Sequence, residues 1–274
     1  MSKLEMVGLT DVGMRRDHNE DAIGLTPELG FAVLADGMGG HNAGEVASAM
    51  AIEIVTRYFK ERLPKLPMAK LDDSTGFTGE SMLAQHVIGR ANNAIFETSQ
   101  RKEECAGMGS TIVVAMVYGN RLTAAHIGDS RMYRLRHDVL SHITEDHSLI
   151  QEQVRRGLLT QADARNSSIK NLVTRALGIE PDVEPDVVEE IIQPGDIYMM
   201  CSDGLTDVVP DEAIRLSIIE NRKNLNRATE QLIQFANDAG GPDNISVIIF
   251  RTPKKFNRKQ GWFQNVLARL FNRR

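Results

Sequence analysis

The chain alternates short, fully apolar runs with longer segments whose apolar residues recur every three or four positions. Residues 31–35, FAVLA, form a continuous apolar run of strand length and predict a buried strand. Val46, Ala47, Met50, Ala51, Ile54, Val55, Tyr58 and Phe59 then recur at helical spacing, which predicts an amphipathic helix over 43–63 closed by Pro64 and Pro67. A second helix is expected over 80–100. Residues 111–118 and 121–127 are rich in β-formers and are separated only by Gly119-Asn120, a two-residue hairpin signal. Strands joined so tightly are antiparallel, which argues against a doubly wound parallel sheet. Helical patterns follow near 147–157 and 161–165. Strands over 187–193 and 196–202 flank Pro194-Gly195, helices fit 210–221 and 225–239, and 245–250 reads as a last buried strand. Strands and helices mix without strict alternation, so the class expected is α+β.

Composition narrows the setting. A chain of 274 residues, 42% hydrophobic and 25% charged, fits one large domain or two small ones with a substantial core. No apolar run reaches the ~18–20 residues of a membrane span, and the first residues lack the apolar stretch of a signal peptide. The two cysteines, Cys105 and Cys201, stand in unrelated contexts, so a cytoplasmic protein is expected. The net charge of −5 is uneven: from Arg251 onward there are eight basic residues and no acidic one, leaving 24 basic against 37 acidic residues before it. Within that tail Trp262, Phe263, Val266, Leu267, Leu270 and Phe271 share one helical stripe, bordered by Arg258, Lys259, Arg269, Arg273 and Arg274. Such a pattern suits the anionic inner-membrane surface, a partner groove, or docking on the acidic body itself. The acidic body argues against nucleic acid as a partner.

The candidate chemistry lies in carboxylates at strand ends. Asp36, Asp129 and Asp203 each close an apolar run, while Asp243 and the pair Glu20-Asp21 each precede one. In an antiparallel sheet the end of one strand lies beside the start of its neighbour, so these acids can meet on one edge. Clustered carboxylates resist ionisation unless cations sit among them, and an all-oxygen set suits hard ions such as Mg2+ and Mn2+. Each Asp taken singly is better read as a turn residue. Several such junctions at the ends of buried strands shift the balance towards a site. No lysine follows a glycine, neither cysteine has an arginine six positions later, and HExxH and CxxC are absent. These absences argue against a Walker-type loop, a cysteine-nucleophile phosphatase and a zinc site of those patterns. Gly37, Gly39 and Gly40 depart from GxGxxG and are read as allowing close backbone approach to a ligand.

Taken in order, TDVGMRRDHNEDA, LADGMGGHNAGEVAS, GMGST, HIGDSRMYRL, ITEDHSL, VTRALG, CSDGL and GGPDNISVI resemble the type 2C metal-dependent serine/threonine protein phosphatases (the PPM family), its bacterial branch above all. The resemblance runs from about Thr10 to Phe250. It implies a four-layer α-β-β-α sandwich, two antiparallel sheets flanked by helices, with a metal centre in a cleft at one end. It implies a catalytic domain over 1–251 and a separate basic tail over 252–274. It implies that Asp36 bridges two Mn2+ or Mg2+ ions, that the Gly37 carbonyl binds one, and that Asp203 and Asp243 hold the other. Glu20 and Asp21 support the ions directly or through water, Asp129 with Asp203 holds a weaker third ion, Arg16 grips the substrate phosphate, and Asn244 stands behind Asp243. The implied reaction is hydrolysis of phosphoserine and phosphothreonine in proteins by a metal-activated water, opposing bacterial serine/threonine kinases, in a monomer.

Met38 stands where many eukaryotic members have histidine, which leaves open whether His41 or bound water protonates the leaving group. Ser167 and Ser168 stand where bacterial members often have His-Pro, so a looser flap over 156–171 with altered substrate preference is expected. Cys201 is read as a core residue, and His18, His126 and His147 as structural or hydrogen-bonding, because hard ions prefer oxygen. Two other readings stay open: an interaction protein that keeps the fold with little catalysis, and another two-metal phosphoesterase. The retention of Arg16, Asp36, Asp203 and Asp243 disfavours the first.

Overall fold

A computed structural model describes residues 4–40, 43–160 and 172–253. Eleven strands are present among them: β1 (Glu5–Asp11), β2 (Asp21–Thr26), β3 (Phe31–Met38), β4 (Gly109–Ser110), β5 (Ile112–Tyr118), β6 (Arg121–Ile127), β7 (Arg131–Arg136), β8 (Val139–His142), β9 (Asp186–Ile191), β10 (Ile197–Cys201) and β11 (Ile245–Arg251). The helices are α1 (Ala43–Arg62), α2 (Gly79–Arg101), α3 (Leu149–Arg155), α4 (Asp203–Thr206), α5 (Asp211–Glu220) and α6 (Leu225–Asp238). One sheet runs β1-β11-β10-β7-β8 and the other β2-β3-β5-β6-β9, with β4 beside β3, and every pairing is antiparallel.

The two-residue period of each central strand supplies two apolar faces. Phe31, Val33 and Ala35 pack under α1 and α2, while Ala32 and Leu34 face the opposite sheet. On β11, Val247 and Ile249 pack under α5 and α6, while Ile248 and Phe250 enter the space between the sheets. Tyr198 and Phe250 stack there with centroids 5.2 Å apart. Three apolar layers therefore separate four layers of secondary structure, the α-β-β-α sandwich that the resemblance implies.

The hairpin at Gly119-Asn120 forms as its spacing predicts, with Tyr118 opposite Arg121. The strands around Pro194-Gly195 form too, but they are not a hairpin: β9 pairs with β6, and β10 pairs with β7 and β11 in the other sheet. The pattern that marks a strand carries no label for the sheet it joins. The helix expected over 161–165, most of the flap expected over 156–171, His41 and the tail from residue 254 onward lie outside the described residues.

The chain crosses between the sheets at 12–20 (β1 to β2) and at 128–130 (β6 to β7). These crossings carry Arg16, Glu20 and Asp129, which is how residues distant in sequence come to share one end of the sandwich.

Candidate metal centre

Asp36 lies on β3 directly opposite Asp21 on β2. The strand continues two residues beyond Asp36, to Met38, instead of ending there. The Asp36 backbone is clamped by the GMGST segment: its N–H donates to Thr111 Oγ1 (3.1 Å), and its carbonyl accepts from the Thr111 N–H (2.8 Å) and Ser110 Oγ (3.0 Å). Thr111 Oγ1 in turn meets Ser130 Oγ at 2.8 Å, tying β3 to the crossing that carries Asp129. Gly37 donates its N–H to the Glu20 carbonyl at 3.1 Å. A Cβ there would collide with the Gly44 carbonyl in the first turn of α1, so only glycine lets helix, strand and the Glu20 loop close together. Gly40, by contrast, has nothing within 4 Å of a built Cβ, so the close approach belongs to Gly37 and Gly44, not to the whole glycine run.

Asp203 opens α4, directly after β10, and Asp243 precedes β11. Asp243 Oδ1 accepts the Asn244 N–H (2.8 Å), and its Oδ2 accepts from the Arg16 guanidinium, also at 2.8 Å. Arg16, the expected phosphate ligand, thus pairs with an expected metal ligand, and about half of its side chain is exposed (48%). Asn244 is fully engaged. Its Nδ2 donates to the Val12 and His18 carbonyls, each at 2.9 Å, and its Oδ1 accepts the Glu20 N–H at 2.8 Å. That one side chain fixes both ends of the segment that presents Arg16 and Glu20.

Charge repulsion shows that the acids have converged. Burial first, then the carboxylates of Asp21, Asp203, Asp129 and Asp243, hold Asp36 well above the usual carboxylate range. Burial, then Asp129, Asp243 and Asp207, does the same to Asp203. Asp129 is pushed up to about 6 by burial and by Asp146. Asp21 is also pushed up to about 6, by burial against opposing hydrogen bonds from Ser246 and Ser202. Glu20 rises by burial, with Arg16 and the Gly44 amide of α1 working against the rise. The Oδ2 of Asp21 accepts from Ser202 Oγ at 2.8 Å, whereas its Oδ1 is buried without a hydrogen-bond partner. All eight expected residues therefore gather at one end of the sandwich. The donor set is oxygen-rich and anionic, and it holds one orphaned carboxylate oxygen, so it fits hard divalent cations.

A family model described as "Protein phosphatase 2C" matches residues 7–245. The chain belongs to the protein phosphatase 2C family. A serine/threonine phosphatase stp of Listeria innocua is 38% identical over 243 residues, covering 88% of this chain and 92% of its own length. The crystal structure of the Mycobacterium tuberculosis serine/threonine phosphatase PstP/Ppp superposes with a TM-score of 0.80 at 33% identity, covering 91% of this chain and 99% of that one. A PstP catalytic domain solved in complex with two manganese ions gives a TM-score of 0.79 at 33% identity, covering 91% and 98%.

Three contributors escape a reading by strand ends. Asp146 and Asp207 add to the charge around Asp129 and Asp203, and Ser202 holds Asp21. Asp146 is itself held by a forked guanidinium, with Arg131 Nε at 2.9 and 3.0 Å from its two oxygens and Nη2 at 2.7 Å from Oδ2. The signal was present in the segments HIGDSR and ITEDHSL, but their pairing is a tertiary fact. Cys201 is fully buried and its thiol is pushed far up by burial, so it serves as core and not as a nucleophile.

Proposed function

We propose that this chain is a metal-dependent protein phosphatase that hydrolyses phosphoserine and phosphothreonine in proteins. The observation that carries the reading is the pair Asp36 and Asp203, held well above the usual carboxylate range by burial and by the acids around them. A protein gains nothing in stability from such repulsion, and divalent cations relieve it. The family match and the manganese-loaded PstP relative support the choice of Mn2+ or Mg2+.

In this reading Asp36, the Gly37 carbonyl, Asp203 and Asp243 would hold the two ions. Glu20 and Asp21 would support them directly or through water, and Asp129 with Asp203 would hold a weaker third ion. Bound divalent ions would lower the pKa of a water enough to make hydroxide available at neutral pH, and they would neutralise charge on the phosphoryl oxygens. The residues of the chain do the rest. Arg16, whose guanidinium donates to Asp243 in this structure, offers its fork to the substrate phosphate. Asn244 keeps the Arg16 loop in reach through Val12 and His18. The Ser110 and Thr111 clamp holds Asp36 at one height along β3.

The substrates are phosphorylated proteins, and the enzyme opposes bacterial serine/threonine kinases in the cytoplasm as a monomer, with 1–251 as its catalytic domain. Among the described residues no helix is long and apolar enough to cross a membrane. The basic tail, 252–274, is the part that would reach an anionic membrane surface or a partner groove. Unchanged membrane association and partner capture after deletion of 253–274 would remove that role. The phosphatase reading is tested by phosphopeptide turnover with and without Mn2+, for the natural chain and Asp36→Asn. Metal-independent turnover, or full activity in the variant, overturns it.

A further inference from the structure

A second cluster of ligating groups lies outside the acid centre. His126, at the end of β6, and His147, before α3, stack with ring centroids 4.6 Å apart, and Asp186 opens β9 beside them. One ring nitrogen of each histidine and a carboxylate oxygen of Asp186 lie within 4.8 Å of one another. Both histidines are buried, at 1% and 4% exposure. Hydrogen bonding as a residue of the core uses only half of the His126 ring. His126 Nε2 bonds the Glu145 carbonyl at 2.8 Å and must be the donor, so its Nδ1 keeps a lone pair, buried and without a partner. His147 Nδ1 accepts the Gly128 N–H at 3.2 Å, which puts its proton on Nε2, and that nitrogen faces Asp186 Oδ2 at 3.2 Å. Arg175 holds Asp186 by Oδ1 at 2.7 Å. A small cleft lined by Asp146, His147, Thr174, Arg175 and Asp186 connects the cluster to solvent.

We propose that His126, His147 and Asp186 form an inhibitory site for a borderline transition-metal ion of the Zn2+ class. Two imidazole nitrogens and one carboxylate, with a water from the cleft as fourth ligand, match that class and not the hard ions of the acid centre. His126 already has the outer hydrogen bond that orients a metal-ligating imidazole, its N–H on a backbone carbonyl, and Arg175 plays the same part for Asp186. The positive charge of Arg175 keeps the affinity moderate and the binding reversible. Ligation requires the His147 ring proton to move from Nε2 to Nδ1, which breaks the Gly128 N–H bond. Gly128 immediately precedes Asp129, and the His147 N–H and carbonyl also bond Gly128 and Thr174, at 3.0 and 2.7 Å. Metal capture therefore disturbs the crossing that presents Asp129. The inhibition rests on the phosphatase reading, whereas the metal site stands without it.

The full chain carrying Asp36→Asn and Asp203→Asn, which weakens the acid centre, is titrated with Zn2+ by equilibrium dialysis in excess Mg2+, and with Co2+ by visible absorption. One equivalent is expected to bind, with a Co2+ band of nitrogen ligation. Adding His126→Gln or Asp186→Asn, each of which removes a ligand, should weaken it by more than about a hundredfold, since loss of an outer hydrogen-bonding partner alone costs about tenfold to a hundredfold. No bound equivalent, or equal binding after both changes, overturns the site. If a variant unfolds, nitrogen-15 spectra of the parent chain decide: the first equivalent of Zn2+ should shift the His126 and His147 ring nitrogens and the Gly128 amide, and unmoved signals overturn the proposal. In the natural enzyme with Mn2+, Zn2+ should lower turnover, and this inhibition should weaken in Asp186→Asn; inhibition that is equal in both overturns the regulatory part. An enzyme with no turnover at all would sink the phosphatase reading while the binding measurements still judge the site.

Discussion

Asp21→Asn separates the stability cost of the acid centre from its function. Burial pushes the Asp21 carboxyl from its ordinary 3.8 up to about 6, and the side chain is 8% exposed, so little solvent screens it. The native protein therefore keeps this proton to higher pH than the unfolded chain does. The contribution of Asp21 to stability is complete below about pH 4 and is lost as pH rises through about 6. The interval corresponds to about 3 kcal/mol by pH 8. Asparagine has the same shape, keeps an oxygen for Ser202 Oγ, and carries no charge to repel Asp36, whose largest coulombic perturber is Asp21. In EDTA at pH 8 the variant should be more stable by up to about 3 kcal/mol, or ~6–12 °C in Tm for a domain of this size. The advantage should vanish near pH 4, where both side chains are neutral. Saturating Mn2+ should cancel most of this advantage, because an ion held at a hundred times its Kd adds about 2.7 kcal/mol to the form that binds it well. The assay is thermal unfolding of both proteins at pH 4 and 8, in EDTA and in Mn2+. If the variant is no more stable than the natural chain in EDTA at pH 8, or if its advantage persists undiminished at pH 4, the account of the buried acids is wrong.

Arg16→Ala removes a charged fork from the substrate phosphate and should lower kcat/KM about tenfold to a hundredfold on phosphopeptides, with Mn2+ affinity reduced far less; an unchanged kcat/KM would take Arg16 out of the site. Asn244→Ala deletes three hydrogen bonds that fix residues 12–20, at about 1 kcal/mol each, so urea unfolding should show a loss of about 3 kcal/mol together with a weaker Mn2+ requirement curve. Gly37→Ala forces a methyl into the Gly44 carbonyl and should cost ~3 kcal/mol or more, whereas Gly40→Ala meets no atom and should stay within about 0.5 kcal/mol of the natural chain. Equal melting temperatures for these two glycine variants would contradict the close approach of α1 to β3.

Three central strands, β3, β5 and β11, were legible because both of their faces are buried and an unbroken apolar run is hard to read otherwise. Ile112–Tyr118 and Ile245–Arg251 fall where the pattern places them, and Phe31–Met38 starts there but runs three residues past the expected end at Ala35. Edge strands were less legible: β1 and β8 are largely part-exposed or exposed, so their composition resembles that of loops. The acids of the centre could be named because each sits at the boundary of an apolar run, a position visible in one dimension. Their partners could not be named in this way. Asn244 reaching Val12, Thr111 reaching Ser130, and Arg131 forking onto Asp146 join segments 15 to 232 residues apart, and nothing local in either segment specifies the match.

Apolar spacing was enough to set the class of the fold and to mark acids at strand ends, and the ordered motifs carried the resemblance to the family, because strand burial, helix periodicity and motif order are properties of neighbouring positions. Which sheet each strand joins, where the two sheets cross, and how strongly the gathered acids repel one another arise only when the sandwich closes. The pKa of Asp36 depends on distances to carboxylates on four other segments, and the lone pair left on His126 depends on where the Glu145 carbonyl falls. Such quantities follow from through-space fields and shared hydrogen bonds, and those exist only in three dimensions.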